Sequence, residues 1–160
     1  MDRVTIRYPA LLLIQTACAF VILHHIHAIF GVLVDNPGVR QPMSVAPLIQ
    51  VGLAATVSQI CYWTRVSSTP LPRSFRNVIL GHLLSFAGRL SFIFGAALFS
   101  FYFLRHMPAM ELERLDIGSA LRGSFLIAIL FVLFCYSLEL ERLGVALQMP
   151  SVRTAKDASD

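Results

Sequence analysis

VILGHLLSFAGRLSFIFGAALFSFYFL, residues Val78–Leu104, carries one formal charge, Arg89, in a run otherwise made of apolar, aromatic and small residues. A helix rises 1.5 Å per residue, so roughly 20 residues cross the ~30 Å hydrocarbon layer of a bilayer, and this stretch exceeds that. In hydrocarbon no water is at hand for backbone N–H and C=O groups, and a helix satisfies them within the segment itself. Three more blocks reach the same length: Ala10–Val34, Pro47–Val66 and Ala120–Leu143. The first two are free of charge until their ends; the last has Arg122 near its start and Glu139 near its finish. Of the 160 residues 56% are hydrophobic, and the mean hydropathy is +0.70. Soluble domains stay a little under half apolar. The sequence therefore predicts an all-α integral membrane four-helix bundle. It forms a single membrane domain over 1–160, with spans at about 10–34, 47–66, 78–104 and 120–143 and a polar C-terminal tail over 145–160.

A cleaved leader is the competing reading of the first block, since Arg3 and Arg7 precede it and Thr16–Ala19 offers small residues around Cys18. Its hydrophobicity runs on through His24–His27 to Val34, too long for a leader's apolar core, so a retained first helix is expected. Basic residues set orientation. The side holding both ends of the chain and the second loop has Arg3, Arg7, Arg65, Arg73, Arg76, Arg142, Arg153 and Lys156. The other has Arg40, Arg105, Arg114 and Arg122. The excess places both termini in the cytoplasm. It also assigns the net charge of +4 to orientation and lipid headgroups. No basic run interleaved with aromatics suggests a nucleic-acid partner. The composition fits a bacterial inner membrane or a eukaryotic endomembrane equally.

The three loops are short, which suits antiparallel neighbours in one bundle. Asp35–Met43 and Ser67–Arg76 read as proline-bearing links. Arg105–Ala120 interleaves Glu111, Glu113 and Asp116 with Met110, Leu112, Leu115 and Ile117, as either a short surface helix or an extended start of the last span. Cys18, Cys61 and Cys135 fall one each in three spans with no C-x-x-C pair, and read as small packing residues.

The third span holds the strongest internal pattern. Gly81, Gly88 and Gly95 recur every seven residues with Ser85 between the first two, a small-residue stripe that lets another helix approach closely. That seam is expected to receive another span of this chain, a protein partner or a second copy in a homo-oligomer. Beside it run His82 and Arg89. Arg89 sits ~3 Å from the middle of its span, where a charge is expensive and normally turned inward and paired. By depth, the sequence pairs Arg89 with Gln59 near mid-membrane and His82 with Glu139 near the inner face. These four residues form the predicted intramembrane polar site.

His24 and His27 share a helix face, as ligands on one helix can, and are the candidate metal or haem ligands. Depth separates them from the other histidines: His82 lies ~16 Å away across the midplane, and His106 ~15 Å further out than His27. An intrachain pair of axial histidines is therefore not expected, and no resident cofactor is predicted. Nucleotide-binding and serine-hydrolase motifs are absent, as is the histidine series of a lipid hydroxylase. No catalytic set is recognisable, and an enzyme is not the expectation. The favoured reading is an accessory or assembly subunit of a larger membrane complex. Two others stand beside it. One is a haem- or quinone-associated redox subunit using His24/His27 or His82 with Arg89. The other is a small oligomeric transporter or channel with Arg89 in its path.

Overall fold

The computed structural model describes residues 3–35, 45–68, 77–106 and 117–148. Four helices account for nearly all of them: α1 Arg3–Asp35, α2 Val45–Ser68, α3 Val78–His106 and α4 Ile117–Gln148. Each contains a stretch long and apolar enough to cross a membrane. The chain is thus an all-helical, multi-pass membrane protein in contact with the bilayer. Most of the two proline-bearing links, most of the acidic third loop and the tail beyond Gln148 lie outside the described residues.

Two helices outrun their apolar blocks. α1 begins at Arg3 and α4 continues to Gln148, past the expected Leu143. Packing sustains the α4 extension: Leu143 and Leu147 are buried with Tyr8 of α1, and Leu12 and Leu84 pack against them. Asn77 ties α3 to the same place. Its N–H donates to the Leu147 carbonyl (3.2 Å), while its side-chain Oδ1 caps α3 by accepting from the Leu80 N–H (3.0 Å). An Asn in this position satisfies one of the orphan donors of the first turn.

Around the bundle the order is α1, α2, α4, α3. The closest pairs are α3 with α4 and α1 with α2; α2 also packs on α4, and α1 touches α3 and α4 more lightly. Among the described residues α2 and α3 do not meet. The expectation that each short loop joins packed neighbours therefore fails for the second one. Nine residues of chain advance Ser68 to Asn77 and can span up to ~30 Å, enough to cross a bundle diagonal. The helix packing, rather than loop length, sets the neighbours here.

α4 is the hub. In an 18-residue apolar stretch of its span 44% of residues are buried, against 17% in the corresponding stretch of each of the other three. The glycine stripe of α3 explains the tightest contact. A Cβ placed on Gly81 would sit 2.6 Å from the Gly144 carbonyl oxygen. One on Gly88 would lie 3.0 Å from the Ser137 oxygen, and one on Gly95 2.6 Å from Leu133 Cδ1. Gly144 answers from α4, its added Cβ meeting the Gly81 oxygen at 2.6 Å. The seam is filled by α4 of the same chain, so it is not an open face for a partner. α2 buries a second stripe, Val51, Ala54, Ser58, Cys61 and Arg65, whose alternating steps of three and four residues are those of a coiled-coil seam.

Candidate functional site

Helix geometry brings the N-terminal end of α1, the C-terminal end of α2 and the C-terminal half of α4 together. Tyr8 and Gln15 are two turns apart on one face of α1, and Arg65 closes the buried stripe of α2. All three turn toward Glu139 on α4. Tyr8 Oη donates to Glu139 Oε1 at 2.7 Å. The Arg65 guanidinium lies over the Tyr8 ring, 5.4 Å from its centroid, and its Nη1 is 3.9 Å from the same carboxylate oxygen. Arg65 Nη2 donates to Gln15 Oε1. Arg142, one turn along α4, reaches Glu139 Oε2 at 3.4 Å from a half-exposed position.

Arg65 and Glu139 are essentially sealed, with side chains 1% and 2% exposed. Two guanidiniums thus share one carboxylate, and the aromatic face of Tyr8 supplies the remaining attraction for Arg65. Not every donor finds a mate. Arg65 Nε and Nη1, Gln15 Nε2, Ser58 Oγ and both amide atoms of Gln59 have no hydrogen-bond partner among the described residues. Deeper in the bundle Tyr136 Oη donates to Thr16 Oγ1 at 3.2 Å, so the polar contacts of α1 and α4 continue inward from Tyr8.

A second polar feature lies on the outside. Arg89 is the central residue of the 23-residue span Val78–Ser100, roughly 16 Å from either end. Its side chain is 68% exposed, and Nη2 is 2.5 Å from Glu141 Oε1, itself 35% exposed. Gly88 faces α4, so its neighbour Arg89 falls about 100° round the helix, on the outer rim of the α3–α4 seam. Phe92 and Phe134 meet edge to face on this rim, ring centroids 5.4 Å apart. Phe86, Ile93 and Val145 are exposed around the ion pair.

The four residues of the sequence-predicted polar site are not brought together. Arg89 cannot meet Gln59, because their helices do not touch; its partner is Glu141. His82 is exposed, whereas Glu139 is buried with Tyr8, Arg65 and Arg142. His24 and His27 both face outward on α1, with the His24 ring stacked on Phe20 and edge-on to His25. A largely apolar cleft of about 70 Å³ between α1, α3 and α4 is lined by Ile26, Leu98, Ile129 and Leu133 among others, and no histidine is in its lining. Cys61 and Cys135 are buried, Cys18 half-buried, and all three thiols are free.

Sequence reasoning missed Arg65, Tyr8 and Gln15. Arg65 reads as an ordinary basic residue at a loop, and Tyr8 and Gln15 as unremarkable members of a span. One signal was present: the small and polar residues of α2 at Ala54, Ser58, Cys61 and Arg65 keep the three-four spacing of a buried seam. Compared with family models, with curated proteins and with solved structures, the chain matches none.

Proposed function

We propose that this chain is an accessory or assembly subunit of a larger membrane complex, contributing packing surface rather than chemistry, with both termini in the cytoplasm. The observation that supports this reading is the Arg89–Glu141 pair. It stands on the outer surface of the bundle, with Arg89 at the middle of the α3 span and Glu141 seven residues from the end of α4, where a lone bundle would hold the Arg89 stem against lipid. A guanidinium has five N–H donors, and one carboxylate cannot use them all. Lipid tails offer no acceptor for the rest, and Glu141 draws the guanidinium toward the end of α4 at which Tyr8 and Arg65 also meet Glu139. A protein surface over this rim supplies what lipid cannot. The inward cluster serves the fold: Arg65, Tyr8, Gln15 and Glu139 join three helices at the terminal end and give the bundle one register.

The test is extraction of native membranes in mild detergent, followed by mass measurement of the particle holding the chain. A particle with stoichiometric protein beyond one 17.8 kDa chain is expected. A lone chain surrounded by lipid alone would overturn the reading. The outward Arg89 also stands where an inter-subunit anion path would run. Anion flux in liposomes that disappears with Arg89→Gln would replace the accessory role with transport.

A further inference from the structure

We infer that the inward cluster is a water-binding site, in which buried waters between α1, α2 and α4 complete the hydrogen bonding of Arg65, Gln15, Ser58 and Glu139. The unmet groups carry the argument. Arg65 Nε and Nη1, Gln15 Nε2 and Ser58 Oγ have no hydrogen-bond partner among the described residues. Gln15 is 0% exposed, Ser58 1% and Arg65 2%, so bulk solvent does not serve them. Together they hold six hydrogens to donate: one on Arg65 Nε, two on its Nη1, two on Gln15 Nε2 and one on Ser58. Buried donors are satisfied by protein or by ordered water, and one left unsatisfied is costly. A site with several such groups is polar enough to hold water.

The geometry gives the first water its place. Arg65 Nη1 stands 3.9 Å from Glu139 Oε1, too far for a direct hydrogen bond and near enough for one water to join the two. An oxygen about 2.8 Å from each atom makes an angle of about 90° between them. Such a water accepts from the guanidinium and donates to the carboxylate. Gln15 is held beside it, since its Oε1 accepts from Arg65 Nη2. Ser58, two turns from Arg65 on the same buried stripe of α2, marks the inner end of the site. Helical side chains lean toward the N-terminus of their helix, which on α2 is the direction from Arg65 to Ser58. Charge selects water over an ion. Arg65 and Glu139 are sealed and cancel each other, while Arg142 is 49% exposed and meets solvent. An anion beside Glu139 would leave uncompensated charge in the interior, and a cation would face donors. Water is neutral, and it both donates and accepts. Its way in is short: Arg65 is three residues from the end of α2, and Arg142 carries the cluster to the surface.

Radiolytic labelling of the detergent-purified chain tests the inference, because hydroxyl radicals made from a bound water oxidise the side chain beside it. Tyr8 and Tyr136 are both buried, at 3% and 6% exposure, and each donates a hydrogen bond, but only Tyr8 touches Glu139. Tyr8 is expected to be labelled roughly fivefold faster than Tyr136, as a side chain beside ordered water should be. Arg65→Met is expected to bring Tyr8 down to the rate of Tyr136. Equal labelling of the two tyrosines in the wild-type chain would overturn the inference. Thermal unfolding of Ser58→Ala gives a second measurement that stands even if Arg65→Met fails to fold. Loss of a hydroxyl that holds a water is expected to lower the midpoint by about 2–4 °C, whereas loss of a hydroxyl buried dry raises it. A raised midpoint would overturn the site. So would a saturable rise in the wild-type midpoint on adding chloride, which would make the ligand an anion.

Discussion

Two arginines of this bundle invert what their depths suggest. Arg65 lies three residues from the end of α2, within easy reach of water, and is sealed at 1% exposure. Arg89 occupies the centre of its span and is 68% exposed. The difference is one of rotation about the helix axis, not of position along it. Arg65 continues the face of α2 that is committed to α1 and α4. Arg89 is one residue beyond a glycine committed to α4, and so points away. An inward arginine becomes part of the fold, and an outward one in the middle of a span becomes a surface with unmet hydrogen-bond demand.

The strongest way to break this comparison is to strip the inward arginine of its counter-charge. Glu139→Leu leaves Arg65 buried with only a neutral amide and a ring, and removal of one partner from a buried pair is worth about 3–5 kcal/mol. Detergent-solubilised protein is expected to lose most of its thermal stability, and its yield in membranes to collapse. Arg65→Met, which takes away the buried cation and keeps its bulk, is expected to be much milder, because Glu139 retains Arg142 and Tyr8. Equal damage from the two would mean that the cluster is not organised around Arg65.

Next in size is the seam that turns Arg89 outward. Gly88→Leu pushes a side chain into the Ser137 carbonyl and Leu140 Cβ, both 3.0 Å from where its Cβ would begin. Backbone cannot yield as a flexible side chain can, so α3 must shift, at about 1–3 kcal/mol. Thermal unfolding of Gly88→Leu should fall well below wild type. Tyr8→Phe is smaller: it keeps the ring under Arg65 and removes one hydrogen bond to Glu139, about 1–2 kcal/mol by analogy with charged hydrogen bonds and with those measured between membrane helices.

These contrasts explain what the sequence could and could not disclose. The four spans were legible because lipid demands a run of apolar residues whatever the helix packs against. The glycine stripe was legible as a seam because Gly81, Gly88 and Gly95 have no other use at that spacing. Which helix would fill it was not legible, because the exposed faces of α1, α2 and α3 are as apolar as their buried ones: Phe20, Leu53 and Phe86 all face outward. In water, polarity marks the outer face of a helix; in lipid that mark is missing, and rotation has to be read from rarer residues. Depth alone paired Arg89 with Gln59 and His82 with Glu139. Those depths took α4 to end at Leu143; it runs on to Gln148, and Gly88 faces Ser137 and Leu140, so Glu139 and Glu141 lie deeper than expected, and depth carries no information about azimuth besides. Glu139 was recognisable as a residue needing a partner, but Arg65 was hidden by its place near a loop.

The smallest expected effect gives the sharpest comparison. A Cβ added at Gly31 of α1 meets nothing within 4 Å among the described residues, whereas at Gly81 it would lie 2.6 Å from a backbone oxygen. In a lone bundle, Gly31→Ala should therefore leave stability unchanged or raise it by up to about 1 kcal/mol through helix propensity. Gly81→Ala should lower it. Both changes alter one methyl group, so thermal unfolding of the two variants side by side isolates contact from composition. Purified in detergent, they should diverge as stated. In native membranes the same pair asks a further question. If Gly31→Ala is harmless in detergent but lowers abundance in the membrane, the missing contact belongs to another protein seated on the outer face of α1.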